Sequence, residues 1–194
     1  MTRPTVAALA AGLAVVFAAS GCTAADVHQD YTDTEVLATM EAFVAESIAV
    51  LDAFPGFHSR NVSLEDCLYG VDRNESLEGH DTVHLTYEFP EASWEDPTVR
   101  ETYPEILADH WEALGHEVEV DRNDAGEISH VNAVRDDGIG IYLTLLGKVL
   151  IETSLGGGAQ CTEIGDGEFT IPEPTGGVLP ENDRFTDNGP RDST

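Results

Sequence analysis

The strictest constraint on this chain lies in Ile139, Ile141, Leu143 and Leu145, which alternate with Gly140, Tyr142 and Thr144. Successive side chains of a strand point to opposite faces, so a period of two marks an extended segment with one apolar face. Val83, Leu85, Tyr87 and Phe89 repeat the pattern, with His84, Thr86 and Glu88 between them. A sheet that is dry on one side only must be covered on that side and can leave the other to water. Helical periodicity supplies the cover. Thr32 with Glu35 makes a capping box, and Val36, Leu37, Met40, Phe43, Val44, Ile48 and Leu51 follow at helical spacing until Pro55-Gly56. A second helix is predicted over about 102–114, where Tyr103, Ile106, Leu107, Trp111 and Leu114 share a side and Gly115 ends it.

Further strands are predicted at 61–69, 118–120, 128–135 and 149–154, with Asp121 to Gly126 and Asp136-Asp137-Gly138 as turns. The order helix, two strands, helix, four strands predicts an α+β domain over residues 32–165. In it, two helices pack on one face of a mainly antiparallel, two-layer sheet of about five or six strands. Hydrophobic residues make up 41% of the chain, enough for such a core. From residue 166 onward Pro172, Pro174, Pro180 and Pro190 fall among Gly and acids. Residues 166–194 therefore read as a disordered acidic tail rich in Pro and Gly.

The N-terminus points to a compartment. Arg3 is the only charge before Asp26, and residues 5–19 are uncharged, small and apolar. That run is shorter than the roughly 20 residues of a membrane span and fits a secretory signal. It ends in Ala19-Ser20-Gly21-Cys22, which resembles the lipobox of bacterial lipoproteins, with Ala19 where the box usually has Leu. The resemblance implies a signal peptide over 1–21, cleavage before Cys22, and a diacylglycerol thioether on the Cys22 thiol. Residues 22–31 then form a tether to the extracytoplasmic face of the cell membrane. Two acyl chains anchor stably where one does not. The competing reading is ordinary signal cleavage after Ala25, with Cys22 discarded.

Once Cys22 carries lipid, Cys67 and Cys161 remain. An even pair in an oxidising compartment points to a disulfide, closing a loop worth about 4.5 kcal/mol by chain entropy. The alternative, a reactive thiol with a His partner, needs a reducing environment. Four features are similar to a group of small actinobacterial lipoproteins with no assigned activity. They are Cys22, the Cys67 and Cys161 pair, the segment from Trp111 to Val118, and Asp137-Gly138 before an apolar strand. This resemblance implies place and architecture only.

Charge removes whole classes of partner. Asp and Glu number 37 against 9 Lys and Arg, for a formal charge of −28, and loss of Arg3 with the signal takes it to −29. Binding nucleic acid through phosphates, or anionic lipid through a basic patch, needs clustered cations. The membrane is therefore a partner through the lipid anchor alone, and nucleic acid is not a partner.

No catalytic, metal or cofactor site assembles from the sequence. His80 and His84 make a pair without a third ligand, and His110 and His116 are separated by a helix end. Asp121, Asn123 and Gly126 imitate the start of a calcium loop, but Ala125 and Asn132 stand at two liganding positions. Ser154 lacks the surroundings of a nucleophile elbow, and Lys148, the only lysine, falls in a turn. Gly156-Gly157-Gly158 lacks the Lys and helix of a phosphate loop and reads as punctuation before Cys161. Glu88, Glu91 and Glu95 are ordinary neighbours in so acidic a chain. The expected function is a surface-anchored binding or interaction module, meeting a small ligand or a partner protein either on the wet sheet face around His84, Thr86 and Glu88 or in a gap between helices and sheet. The rivals are an envelope enzyme with an unrecognised site and a purely structural envelope protein.

Overall fold

The computed structural model describes residues 27–69 and 75–189. The expected signal peptide over 1–21 and Cys22, the expected site of lipidation, lie outside them. The chain forms β1 Val27–Thr32, α1 Asp33–Ile48, β2 Ser59–Tyr69, β3 Glu75–Glu88, α2 Tyr103–Ala113, β4 Glu117–Arg122, β5 Ile128–Val134, β6 Ile139–Thr144, β7 Leu150–Leu155, β8 Cys161–Glu163 and β9 Asp183–Asn188. A π-helical stretch, Thr98–Thr102, leads into α2.

All nine strands among the described residues join one sheet along the pairing path β1-β8-β3-β7-β6-β5-β4; β8 and β7 pair with the same flank of β3 at successive stretches, and β2 lies on its other flank with β9 beyond. The β1–β8 and β2–β9 pairs are parallel. This corrects the expected sheet: among the described residues it is mixed and has nine strands, not five or six in a mainly antiparallel array. The six segments marked by alternation lie in β2 to β7. The additional strands are β1 (VHQDYT), the three-residue β8, and β9 (DRFTDN). None of them carries an apolar period, because what joins them to the sheet is main-chain pairing, which needs no particular side chain.

Two boundaries change with them. Residues 27–31, expected to be tether, are strand β1. Residues 166–189, expected to be disordered tail, run as a strap over the helix side of the sheet and end in β9. Phe169 and Ile171 pack against the core, Val178 is buried in it, and Phe57 N–H donates to the Gly176 carbonyl at 2.8 Å. The proline and glycine content that mimics disorder serves a chain that crosses the core without regular structure of its own.

Both helices lie on one face. The capping box of α1 forms: Glu35 N–H donates to Thr32 Oγ1 at 3.4 Å and Thr32 N–H to Glu35 Oε2 at 2.9 Å. Val36, Leu37, Met40, Phe43 and Val44 of α1, with Leu107 and Trp111 of α2, bury against Val62, Leu64, Val83, Leu85, Val131, Ile141, Leu143 and Ile151. Each such side chain contributes about 1.5–3 kcal/mol by leaving water. The helices also meet through a polar bond, Trp111 Nε1 donating to Ser47 Oγ at 2.9 Å.

Cys67 and Cys161 form a disulfide with Cα atoms 5.5 Å apart. The reason they meet lies in β3. Asp66 pairs with Asp81 but Leu68 pairs with Ser76, so residues 77–80 of β3 stand against Cys67 alone. A bulge of that size turns the strand and frees its partner from the ladder. Gly79 within it has φ +76°, a conformation that glycine adopts without strain. His80 and Asp81 then pair with β8, which brings Cys161 beside Cys67.

Candidate functional site

The face of the sheet turned away from the helices carries a carpet of polar side chains. Register aligns it in rows. Ser63, His84 and Ser154 stand side by side on β2, β3 and β7. The next row runs Asn61, Thr86, Glu152, Tyr142 and Asn132 from β2 to β5. A third runs Ser59, Glu88, Leu150, Thr144 and His130. Most of these side chains are half-buried by their neighbours, and Ser154 is buried. The alternation that drives Val83, Leu85 and Tyr87 into the core puts His84, Thr86 and Glu88 here, as the sequence led one to expect.

Few bonds are made within the carpet. Thr144 Oγ1 donates to Glu152 Oε2 at 3.3 Å, and Lys148 Nζ meets Glu88 Oε1 at 3.0 Å. The side chains of His84, His130, Asn61, Asn132 and Tyr142 make no hydrogen bond to another described residue. Glycine shapes the surface. Tyr142 lies over Gly140, where a Cβ would fall 2.8 Å from the phenol oxygen. The turn Gly156–Gly158 has three successive positive φ angles and presses on His84, whose Cε1 would meet a Cβ on Gly158 at 2.9 Å. The triple glycine is thus a required shape at the rim of the face. Beside it, Glu65, Asp66, Leu68, Thr82, His84 and Gly158 line a recess of about 120 Å³ next to the disulfide.

A larger cleft of about 450 Å³ lies between the stretch leading into α2 and the β4–β5 hairpin. Glu95, Arg100, Glu101, Glu105, Arg122 and Glu127 line it. Arg100 is held there by the carbonyls of Trp94 at 3.0 Å and Leu145 at 2.8 Å.

The other residues singled out in the sequence are dispersed. His80 Nδ1 contacts the Glu78 carbonyl at 3.0 Å near β1. His116 meets Phe43 edge-on, and His110 Nε2 is buried with no partner among the described residues. Asn123 Oδ1 accepts from the N–H groups of Ala125 and Glu127, so the acidic turn uses that oxygen to close a hairpin. Glu95 lines the large cleft, away from Glu88 and its Lys148 partner. Among the described residues, no three His, Cys, Asp or Glu side chains converge on a point that could hold a metal ion.

The most perturbed ionisable groups sit elsewhere, in a buried cluster that sequence reading missed. Arg60 is 1% exposed and points into the core side of β2. It binds Glu41 of α1 at 2.6 Å, both oxygens of Asp183 at 2.7 Å and the Pro172 carbonyl at 2.7 Å. Tyr87, its ladder neighbour, donates to Glu41 Oε2 at 2.6 Å and accepts from Thr175 N–H at 3.0 Å. Burial opposes the charge on Arg60, but hydrogen bonds from the guanidinium to Asp183 and Glu41 outweigh it and raise its pKa. Burial, with the Glu41 charge, also drives the Tyr87 phenol up. The available signal was an Arg in the inward register of the strand Arg60, Val62, Leu64. These groups fasten the strap to the sheet and face neither the carpet nor the cleft.

No protein-family profile, no curated protein and no solved structure matches the chain.

Proposed function

We propose that the chain is a lipid-anchored binding module at the extracytoplasmic face of a membrane, and that the helix-free face of its sheet is the recognition surface. One observation carries this reading. Three in-register rows of mixed polar side chains lie on a rigid sheet, and five of them, His84, His130, Asn61, Asn132 and Tyr142, keep donors or acceptors that no described residue uses. Groups held in fixed positions with bonding capacity to spare can be matched by a partner at little entropic cost. The signal-like N-terminus ending in Cys22 and the disulfide agree with an exported setting.

The test is site-specific photo-crosslinking in the native envelope. A crosslinker at Tyr142 or Thr86 should give discrete adducts, and one at Glu105 or Glu112 in the helix layer should not. Equal labelling from both layers, or none from the carpet, would refute the assignment. Intact-mass analysis of the membrane fraction checks the anchor: a diacylated Cys22 is expected, and a mature start at Asp26 without lipid would end that part.

A further inference from the structure

We infer that the cleft where α1 and α2 end is a binding site for a dibasic amino acid, a ligand with one carboxylate and two cations on an aliphatic stem. The site lies apart from the polar carpet and does not depend on the anchor.

The cleft has a volume of about 410 Å³ and opens between the last turn of α1, the end of α2 and the turn joining β5 to β6. Its size falls within the range of small-molecule sites, about 300–1,000 Å³. Glu46, Leu114, His116, Arg135, Asp136 and Asp137 line it.

The cation of the cleft is set in place from two sides. Arg135 Cζ lies over the ring of the buried Phe43, 5.4 Å from its centroid. Nε and Nη2 donate to the two carboxylate oxygens of Asp137 at 3.2 and 2.8 Å. Asp137 is held in turn by the Tyr31 hydroxyl at 2.7 Å and by Ile139 N–H at 3.2 Å. Burial opposes the charge on Asp137, but the bonds from Arg135 and Tyr31 outweigh it and keep its carboxyl below the usual range. Arg135 Nη1 makes no hydrogen bond to another described residue. A planar guanidinium fixed on one edge, with a pair of donors to spare, is pre-organised to receive a carboxylate.

His116 reaches the same aromatic ring through the way α2 ends. Gly115 adopts φ +87°, its N–H donates to the Glu112 carbonyl at 2.9 Å, and His116 N–H donates to the Trp111 carbonyl at 3.1 Å. This left-handed glycine stop satisfies the last helical carbonyls and turns the chain. It sets the imidazole edge-on to Phe43, with ring centroids 5.3 Å apart. The ring nitrogens of His116 bond no described residue and offer the ligand carboxylate a second contact.

The other walls are acidic. Glu46 follows Phe43 by three residues on α1, so the two share one side of that helix. Asp136 lies in the turn beside Arg135. Both carboxylates are exposed, and neither bonds another described residue. Both helices end here, and the C-terminal end of a helix carries partial negative charge. Leu114, 42% exposed, offers an apolar surface for an aliphatic stem. A simple anion would meet a net negative field, and a simple amine would leave the spare donors of Arg135 unmatched. One carboxylate for Arg135 and two cations for Glu46 and Asp136 match the whole lining.

Isothermal titration calorimetry of the full chain tests the site. L-lysine should bind. Norleucine lacks the side-chain ammonium, Nα-acetyl-lysine the α-ammonium and cadaverine the carboxylate. Each should bind at least about tenfold more weakly, because each loses a charge-assisted bond. Glu46→Gln and Asp136→Asn should each weaken lysine by a similar factor. Arg135→Gln should abolish the preference for lysine over cadaverine. Asp124→Asn, in the turn at the other end of β5, should change nothing. No heat from lysine up to millimolar concentrations overturns the site. Cadaverine binding as tightly as lysine, or equal weakening by Asp124→Asn, shows diffuse attraction to an acidic surface and overturns it as well. Should Arg135→Gln fail to fold, the ligand series on the unaltered protein still decides.

Discussion

Arg60 donates from Nε and Nη2 to the two carboxylate oxygens of Asp183, 123 residues later in the chain. Main-chain register sets the pair: Asp183 is the first residue of β9 and lies opposite Arg60 on β2. Glu41 closes the other side of the guanidinium from helix α1. One buried cation thus joins the helix layer, the sheet and the C-terminal strap.

Removing that cation should be costly. Arg60→Ala leaves Glu41 buried without its counter-charge, and breaking one side of a buried pair costs about 3–5 kcal/mol. Asp183→Asn should cost less, about 1–3 kcal/mol, because Asp183 is partly exposed and Arg60 keeps Glu41. Urea denaturation of the two variants measures both. Unchanged midpoints would mean that the strap is not fastened through Arg60.

Asp81 gives stability a pH dependence of unusual sign. Burial pushes its carboxyl up to about 6, against a hydrogen bond from Thr162, with Asp187 adding repulsion. An unfolded Asp titrates near about 3.9. Between those values the folded state binds more protons than the unfolded state, so Asp81 lowers stability as pH rises from about 4 to about 6. Asp81→Asn should therefore stabilise the protein at pH 8, by on the order of 2 kcal/mol, and do little at pH 4. A loss of stability at pH 8 would show that the ionised carboxylate is needed.

The disulfide closes 94 residues of sequence separation. Loop-closure entropy makes that worth about 4.5 kcal/mol. The double change Cys67→Ser with Cys161→Ser should lower thermal stability accordingly and expose the β1 and β8 main chain to hydrogen exchange before the rest. Simultaneous exchange across the whole sheet would argue against a local role for the bridge.

The formal charge of −28 predicts a response to salt. Exposed carboxylates repel over a Debye length that falls from about 30 Å at 0.01 M to about 3 Å at 1 M. Melting temperature should rise with sodium chloride, and with potassium chloride nearly alike. A flat response to both would refute diffuse repulsion. Saturable stabilisation by micromolar calcium at fixed ionic strength would instead reveal a specific site and return attention to the turn from Asp121 to Asp124.

What sequence alone determined about this protein is what its local periods encode. The alternation at Val83 to Phe89 and Ile139 to Leu145 decides which side chains enter the core, and Thr32 with Glu35 decides where α1 starts. Such signals are local because a strand or helix repeats its geometry every few residues. The tertiary structure decided the rest. Strands β1, β8 and β9 exist because partner strands offer main-chain donors and acceptors, which leave no mark in side-chain pattern. The strap over residues 166–189 stays on the core because Arg60 and Tyr87, more than a hundred and about ninety residues away, hold its carbonyl at Pro172 and its amide at Thr175. A cation is stable in a core only where its counter-charges converge, and that convergence is a property of the folded chain.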